Sequence, residues 1–284
     1  MPKIGLYQLH VIETGRFRLD GGAMFGIIPK PLWERKISPD AGNRIPLHMR
    51  CLLLESSDRL ILIDNGMGDK SDARFKQIYG VDLEFAELNR SLKAAGFGAE
   101  DISDVILTHL HFDHCGGSTT RVGDRTEVAF RQAQYHVQRA HWDWANSPNP
   151  REKGSFLDEN LTPLLESGQL NLLDSEGDLF PGVSVRKVHG HTEAQQIVKI
   201  TGPEGTLVFV ADLLPTTAHL APVWGMGYDI RPLVTIAEKS VFLEEALREG
   251  WQLFFEHDPA IEVSGLAQGG RSIEAVEGRP LQEL

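Results

Sequence analysis

The chain is poor in cysteine and in basic residues, and it has no long apolar run. Cys51 and Cys115 are the only cysteines in 284 residues. Two are too few for a disulfide framework and too few for a zinc site built from four cysteines. Lys and Arg number 28 against 40 Asp and Glu, a formal net charge of −12 at pH 7. Phosphate contacts need clustered Lys and Arg, so this balance argues against a nucleic-acid binder and against docking on an anionic membrane surface. No apolar stretch approaches the roughly 20 residues that span a bilayer. The segment 1–17 has no continuous apolar run after Lys3, so it does not read as a secretory signal. The expectation is a soluble, cytoplasmic protein with neither nucleic-acid nor membrane partners. At 41% hydrophobic residues the chain can bury a real core.

The Gly- and Pro-rich stretch 20–46 reads as a long irregular loop, of the kind that binds substrate or covers a dimer interface. Two apolar runs follow, separated by Ser57 and Asp58, which is a hairpin signal ending at Asp64-Asn65-Gly66. Leu83, Phe85, Leu88, Leu92 and Ala95 have helical spacing, closed by Gly96. Strands are expected at 104–109, 128–138, 182–191, 195–201, 206–212 and 252–258, and an amphipathic helix at 234–250. The Glu and Lys residues along 238–248 read as a solvated helix face, and the tail 265–284 as peripheral. Helices between apolar strands suggest a layered α/β architecture. The whole of 1–284 is read as one domain.

Several of these strands end in His or Asp, and one end is unusually dense. His109, His111, Asp113 and His114 place four potential metal ligands within six residues. On an extended segment His109 and His111 share a face, because side chains alternate with period two. Asp113 and His114 follow where Gly116 and Gly117 let the chain turn. Imidazole and carboxylate suit Zn²⁺, and also Mn²⁺, Fe²⁺ or Co²⁺. Further ligands are sought at other strand ends: His189 or His191, Asp212, and His257. Position alone does not choose between His189 and His191.

The run His109-x-His111-x-Asp113-His114 resembles the hallmark motif of the metallo-β-lactamase superfamily. The family's Gly-His-Thr motif matches Gly190-His191-Thr192, which selects His191. Its strand-terminal bridging acid matches Asp212, and its last histidine His257. The resemblance spans roughly residues 48–260. It implies a four-layered αββα sandwich of two pseudo-equivalent halves and a centre of two divalent ions. One ion would be held by His109, His111 and His191, the other by Asp113, His114 and His257, with Asp212 shared. Cys115 and His189 are read as a packing residue and a structural or supporting residue. Asp64 is read as orienting a ligand or bracing its turn.

Within the superfamily the chain is most similar to quorum-quenching N-acyl-homoserine lactonases of the YtnP type. The similarity rests on Asp20-Gly21-Gly22-Ala23-Met24-Phe25-Gly26 with Pro29-Lys30, on Asp212-Leu213-Leu214-Pro215-Thr216, on Trp224 and Tyr228, and on Glu256-His257-Asp258. Many such lactonases carry a Tyr where Pro215 stands here. The resemblance implies that a bridging hydroxide opens the lactone ring, with Asp113 passing a proton to the leaving alkoxide and Asp212 joining the ions. Met24, Phe25, Ile27, Trp33, Phe112, His219 and Tyr228 are candidate substrate contacts, and homodimerisation through the N-terminal loop is a further expectation. The alternative on the same centre is a phosphotriesterase or aryl esterase like methyl parathion hydrolase. A non-catalytic metal-binding module is the third reading.

Overall fold

Residues 2–270 and 272–284 are described by a computed structural model. The strands are β1 (Lys3–Ile4), β2 (Tyr7–Asp20), β3 (Arg44–Glu55), β4 (Leu60–Ile63), β5 (Asp104–Ile106), β6 (Thr119–Val122), β7 (Arg125–Val128) and β8 (Gln134–Gln138). They continue with β9 (Leu170–Leu173), β10 (Gly177–Phe180), β11 (Val183–Val188), β12 (Gln195–Gly202), β13 (Gly205–Phe209), β14 (Gln252–Phe254), β15 (Val263–Gln268) and β16 (Ile273–Arg279). The helices are α1 (Gly21–Phe25), α2 (Lys30–Trp33), α3 (Ala73–Tyr79), α4 (Leu88–Ala94), α5 (Phe112–Cys115), α6 (Arg139–Ala145), α7 (Asp158–Ser167) and α8 (Pro232–Glu249). Two seven-stranded sheets result, ordered β1-β2-β3-β4-β5-β8-β9 and β10-β11-β12-β13-β14-β15-β16.

By its internal packing the chain divides into two compact units. The first comprises Tyr7–Arg16 and Met49–Glu176, the second Pro2–Leu6, Phe17–His48 and Gly177–Leu284. In the first, the predicted hairpin forms, with Leu54 opposite Ile61 and Leu52 opposite Ile63. From β4 onward the strands β4, β5, β8 and β9 run parallel. Parallel neighbours require crossovers, which run through α4 between β4 and β5, through α5 and the β6–β7 pair between β5 and β8, and through α6 and α7 between β8 and β9. Leu62, Leu92, Val105, Leu107, Tyr135 and Leu164 meet in its core.

The second unit has its own core, where Ile197, Val208, Val210 and Leu253 pack with Phe242, Leu243 and Ala246 of α8. α8 ends as predicted, with Gly250 in the left-handed region at φ 67°. The tail carries regular structure. β15 and β16 pair with each other, and β15 with β14, so they complete the second sheet. Loop 20–46 is not wholly irregular either, since Asp20 caps α1 by accepting from the Ala23 N–H at 2.8 Å. The helix predicted from residue 82 begins only at Leu88, because Glu87 caps the N–H groups of Asn89 and Arg90. No helix among the described residues is long and apolar enough to cross a membrane.

Candidate metal centre

The potential ligands sit on a shared structural rule. His109, His191, Asp212 and His257 each lie three residues beyond the last residue of a strand, namely Ile106, Val188, Phe209 and Phe254. Rigid strands thus hold the chain, while the short connection beyond frees it to aim a side chain. In the second unit β12 is antiparallel to both β11 and β13, and β14 is parallel to β13. The ends that carry His191, Asp212 and His257 therefore lie along one edge of the sheet.

In the first unit Asp64 organises the local cluster. It follows β4 with a positive φ of 54°. Its Oδ1 accepts the Thr108 N–H at 2.7 Å, and its Oδ2 accepts the Thr108 hydroxyl at 2.6 Å. His114 Nδ1 donates to Oδ2 at 3.0 Å. Asp64 thus orients His114 and braces the 108–114 turn at once. Because the Thr108 hydrogen is spent on Asp64, His109 Nδ1 donates to the Thr108 oxygen at 3.1 Å. That leaves the lone pair on His109 Nε2, which lies 3.1 Å from His111 Nδ1. The Asp113 carboxylate lies 3.9 Å from His114 Nε2. α5 supplies the turn that brings Asp113 and His114 round. His141, which carries no metal-site signal in the sequence, accepts the Leu110 N–H at 2.8 Å and so fixes the residue between His109 and His111. Cys115 packs in the core, with burial pushing its thiol up to about 12, as its reading as a packing residue expects.

In the second unit Asp212 lies between two imidazoles. His191 Nε2 is 3.2 Å from its Oδ2, and His257 Nε2 is 3.3 Å from its Oδ1. Each ring is held from behind. His191 Nδ1 donates to Asp229 at 3.1 Å, and His257 Nδ1 to the His48 carbonyl at 2.7 Å. The outer hydrogen bonds fix both rings so that Nε2 is the atom that faces Asp212. His189 is turned elsewhere, with its Nδ1 2.8 Å from Glu193. The geometry therefore separates the two histidines that position alone left equivalent.

The donor chemistry fits divalent transition ions. The first unit offers three imidazoles and a carboxylate, the second two imidazoles on the two oxygens of one carboxylate, and neither offers a thiolate at these positions. Nitrogen and oxygen donors of this kind suit Zn²⁺, Mn²⁺, Fe²⁺ and Co²⁺.

The candidate substrate contacts separate into two groups. Met24, Phe25, Trp33 and His219 are buried and spend their surfaces on one another. Phe25 stacks on Trp33 at 5.3 Å between centroids and on His219 at 4.7 Å. His219 Nε2 donates to the Met24 carbonyl at 2.9 Å, while its Nδ1 accepts from Thr216 at 2.8 Å. Burial lowers this imidazole to about 4, so it stays neutral. These four anchor the N-terminal segment. Phe112 is also buried, with its ring against Phe75 and Tyr79 at 5.0 and 5.1 Å. Ile27, by contrast, is 93% exposed, and Tyr228 is partly exposed. The loops carrying them are knit by the Gly227 N–H donating to the Ala23 carbonyl at 2.7 Å.

The solvated face expected at 238–248 is only partly solvated. Lys239 is 1% exposed, and burial lowers its ammonium to about 8. Asp229, Glu238 and Lys239 gave no ligand-spacing signal, since their roles depend on loops distant in sequence.

Comparison with known proteins agrees with this architecture. Residues 46–247 match the Metallo-beta-lactamase superfamily, and the chain belongs to that family of metal-dependent hydrolases. An N-acyl homoserine lactonase of Bacillus cereus is 25% identical over 262 residues, 88% of this chain and 93% of the relative. The crystal structure of a probable metal-dependent hydrolase from Staphylococcus aureus superposes with a TM-score of 0.90 at 30% identity, covering 98% of this chain and 99% of that one. AidC, a dizinc quorum-quenching lactonase in complex with a product, N-hexanoyl-L-homoserine, shares the fold at a TM-score of 0.81 and 22% identity, covering 99% and 97%.

Proposed function

We propose that the protein is a lactonase that hydrolyses N-acyl-homoserine lactones, and that His109, His111, Asp113, His114, His191, Asp212 and His257 together hold two divalent ions, Zn²⁺ foremost. The observation that carries this reading is the B. cereus lactonase, similar along nearly its whole length, beside two imidazoles, His191 and His257, whose Nε2 atoms face the two oxygens of Asp212. When bound, two such ions supply Lewis acidity toward an ester carbonyl and make water a nucleophile at neutral pH. The chain's own groups do the rest. His109, His111 and His191 would hold one ion, and Asp113, His114 and His257 the other. Asp212 is suited to serve both, since one of its oxygens faces His191 and the other His257. Asp113 would take the proton that the attacking water releases and pass it to the alkoxide that leaves when the ring opens. Ile27 and Tyr228 offer apolar surface to the acyl chain, on a segment whose position the buried Phe25, Trp33 and His219 maintain. Pro215 cannot hold the substrate carbonyl as a tyrosine would, which gives Tyr228 that place in the reading.

The test is kcat/KM for acyl-homoserine lactones of increasing chain length beside paraoxon-type triesters. The reading expects lactone turnover to dominate and to vary with chain length. Triester turnover at ordinary enzyme efficiency with none on lactones would replace it with the phosphotriesterase reading.

A further inference from the structure

α8 contributes two adjacent side chains that grip the surroundings of His191 from opposite sides. Glu238 directs both carboxylate oxygens at the chain just before the histidine. Its Oε1 accepts the His189 N–H at 2.7 Å, and its Oε2 accepts the Gly190 N–H at 3.0 Å. The approach is close enough that a Cβ on Gly190 would lie 2.3 Å from Thr235 Oγ1 and 2.4 Å from Thr235 N. The next residue, Lys239, sends its buried ammonium to the other side. Its Nζ donates to the Trp224 carbonyl at 2.9 Å and more weakly to that of Ala221 at 3.4 Å. Those carbonyls begin the loop that delivers Asp229, whose Oδ1 takes His191 Nδ1 and whose Oδ2 accepts the Met226 N–H at 3.0 Å. The loop closes back on the ligand strand, with the Ile230 N–H donating to the His191 carbonyl at 3.2 Å and the Arg231 N–H to that of Gly190 at 2.9 Å.

We propose that Glu238 and Lys239 are positioning residues for the metal centre. Glu238 fixes the backbone that carries His191, and Lys239 fixes the loop that carries its partner, Asp229. A buried ammonium and a carboxylate spent on two backbone N–H groups are costly to place for packing alone. Here both act on one imidazole, whose direction decides how well it binds an ion. The assignment rests on His191 being a ligand, as the proposed function has it.

The experiment compares the full-length wild type with Glu238→Gln, Lys239→Met and His191→Ala. Each is stripped of metal by chelation and titrated with Zn²⁺ against a chromophoric chelator, and the Co²⁺-loaded proteins are examined by visible absorption. Glutamine must turn an NH₂ toward one of the two N–H groups. Methionine keeps the length and packing of Lys239 while removing the donor, so the fold is retained. The expected result is a 10- to 100-fold loss of zinc affinity in Glu238→Gln and in Lys239→Met, the range typical of groups behind a ligand. An altered Co²⁺ spectrum is expected alongside it, and cooperative metal-free melting should show that both variants are folded. Zinc affinity and Co²⁺ spectra like wild type in both variants, beside weakened binding in His191→Ala, would overturn the assignment. Unweakened binding in His191→Ala would instead overturn the reading on which it rests.

Discussion

Asp64→Asn is the sharpest perturbation of the local cluster. Asn tolerates the positive φ of Asp64, so the substitution tests hydrogen bonding with little backbone strain. The buried carboxylate takes three donors: the Thr108 N–H, the Thr108 hydroxyl and His114 Nδ1. The amide keeps one oxygen and sets an NH₂ against at least one of those donors. A hydrogen bond to a charged group contributes about 1.5–3 kcal/mol, and a donor left buried without its acceptor costs about 1–3 kcal/mol. The expected loss of metal-free stability is therefore about 2–4 kcal/mol, read by urea unfolding in excess chelator. His114 also loses its orienting carboxylate, so zinc affinity should fall about 10- to 100-fold. At saturating zinc that fall removes a further ~1.4–2.7 kcal/mol of ligand-linked stabilisation. If Asp64→Asn unfolded within about 0.5 kcal/mol of wild type, the size expected of an indifferent surface change, and bound zinc equally well, the reasoning about this cluster would be refuted.

Other perturbations follow from the same geometry. Phe25→Ala, which empties a fully buried site between Trp33 and His219, should cost about 3–5 kcal/mol in urea unfolding; a cost under ~1 kcal/mol would deny the anchoring role. His219 has its folded pKa depressed to about 4 from 6.5. Its contribution is therefore complete above the unfolded value and is lost as pH falls from 6.5 toward 4. Across that window wild-type stability should drop by about 3 kcal/mol relative to His219→Gln, and parallel pH profiles would contradict this. Gly190→Ala must push its new Cβ away from Thr235, so zinc affinity measured by chelator competition should weaken about tenfold or more; unchanged affinity would count against the close approach.

How much of this was legible in the sequence depended on how local the signal was. His109, His111, Asp113 and His114 stand within one strand end and its turn, so spacing alone exposed them. His191 needed the neighbouring Gly190 and Thr192, and the reason for the glycine appeared only with Thr235 beside it. Asp64 offered two roles to sequence reasoning, and it fills both because the carboxylate has two oxygens. Lys239 turns inward although charge on an amphipathic helix ordinarily faces water, because the loop carbonyls that it meets lie away from it in sequence, as do the backbone N–H groups that Glu238 meets. The same lack of local signal hid Asp229 and His141. Strand pairing of 263–279 was missed because β15 and β16 carry few large apolar residues. In the N-terminal loop the apolar residues looked alike, yet Phe25 and Trp33 pack inward while Ile27 points out.

The central claim is that this chain is a two-ion metallo-hydrolase, and metal content measures it most directly. Purified wild-type protein, reconstituted with excess Zn²⁺ and freed of loose metal, should hold two ions per chain by plasma mass spectrometry. Asp212→Ala, lacking the shared carboxylate, should hold fewer than two. One ion or none in the wild type, or two retained in Asp212→Ala, would contradict the account.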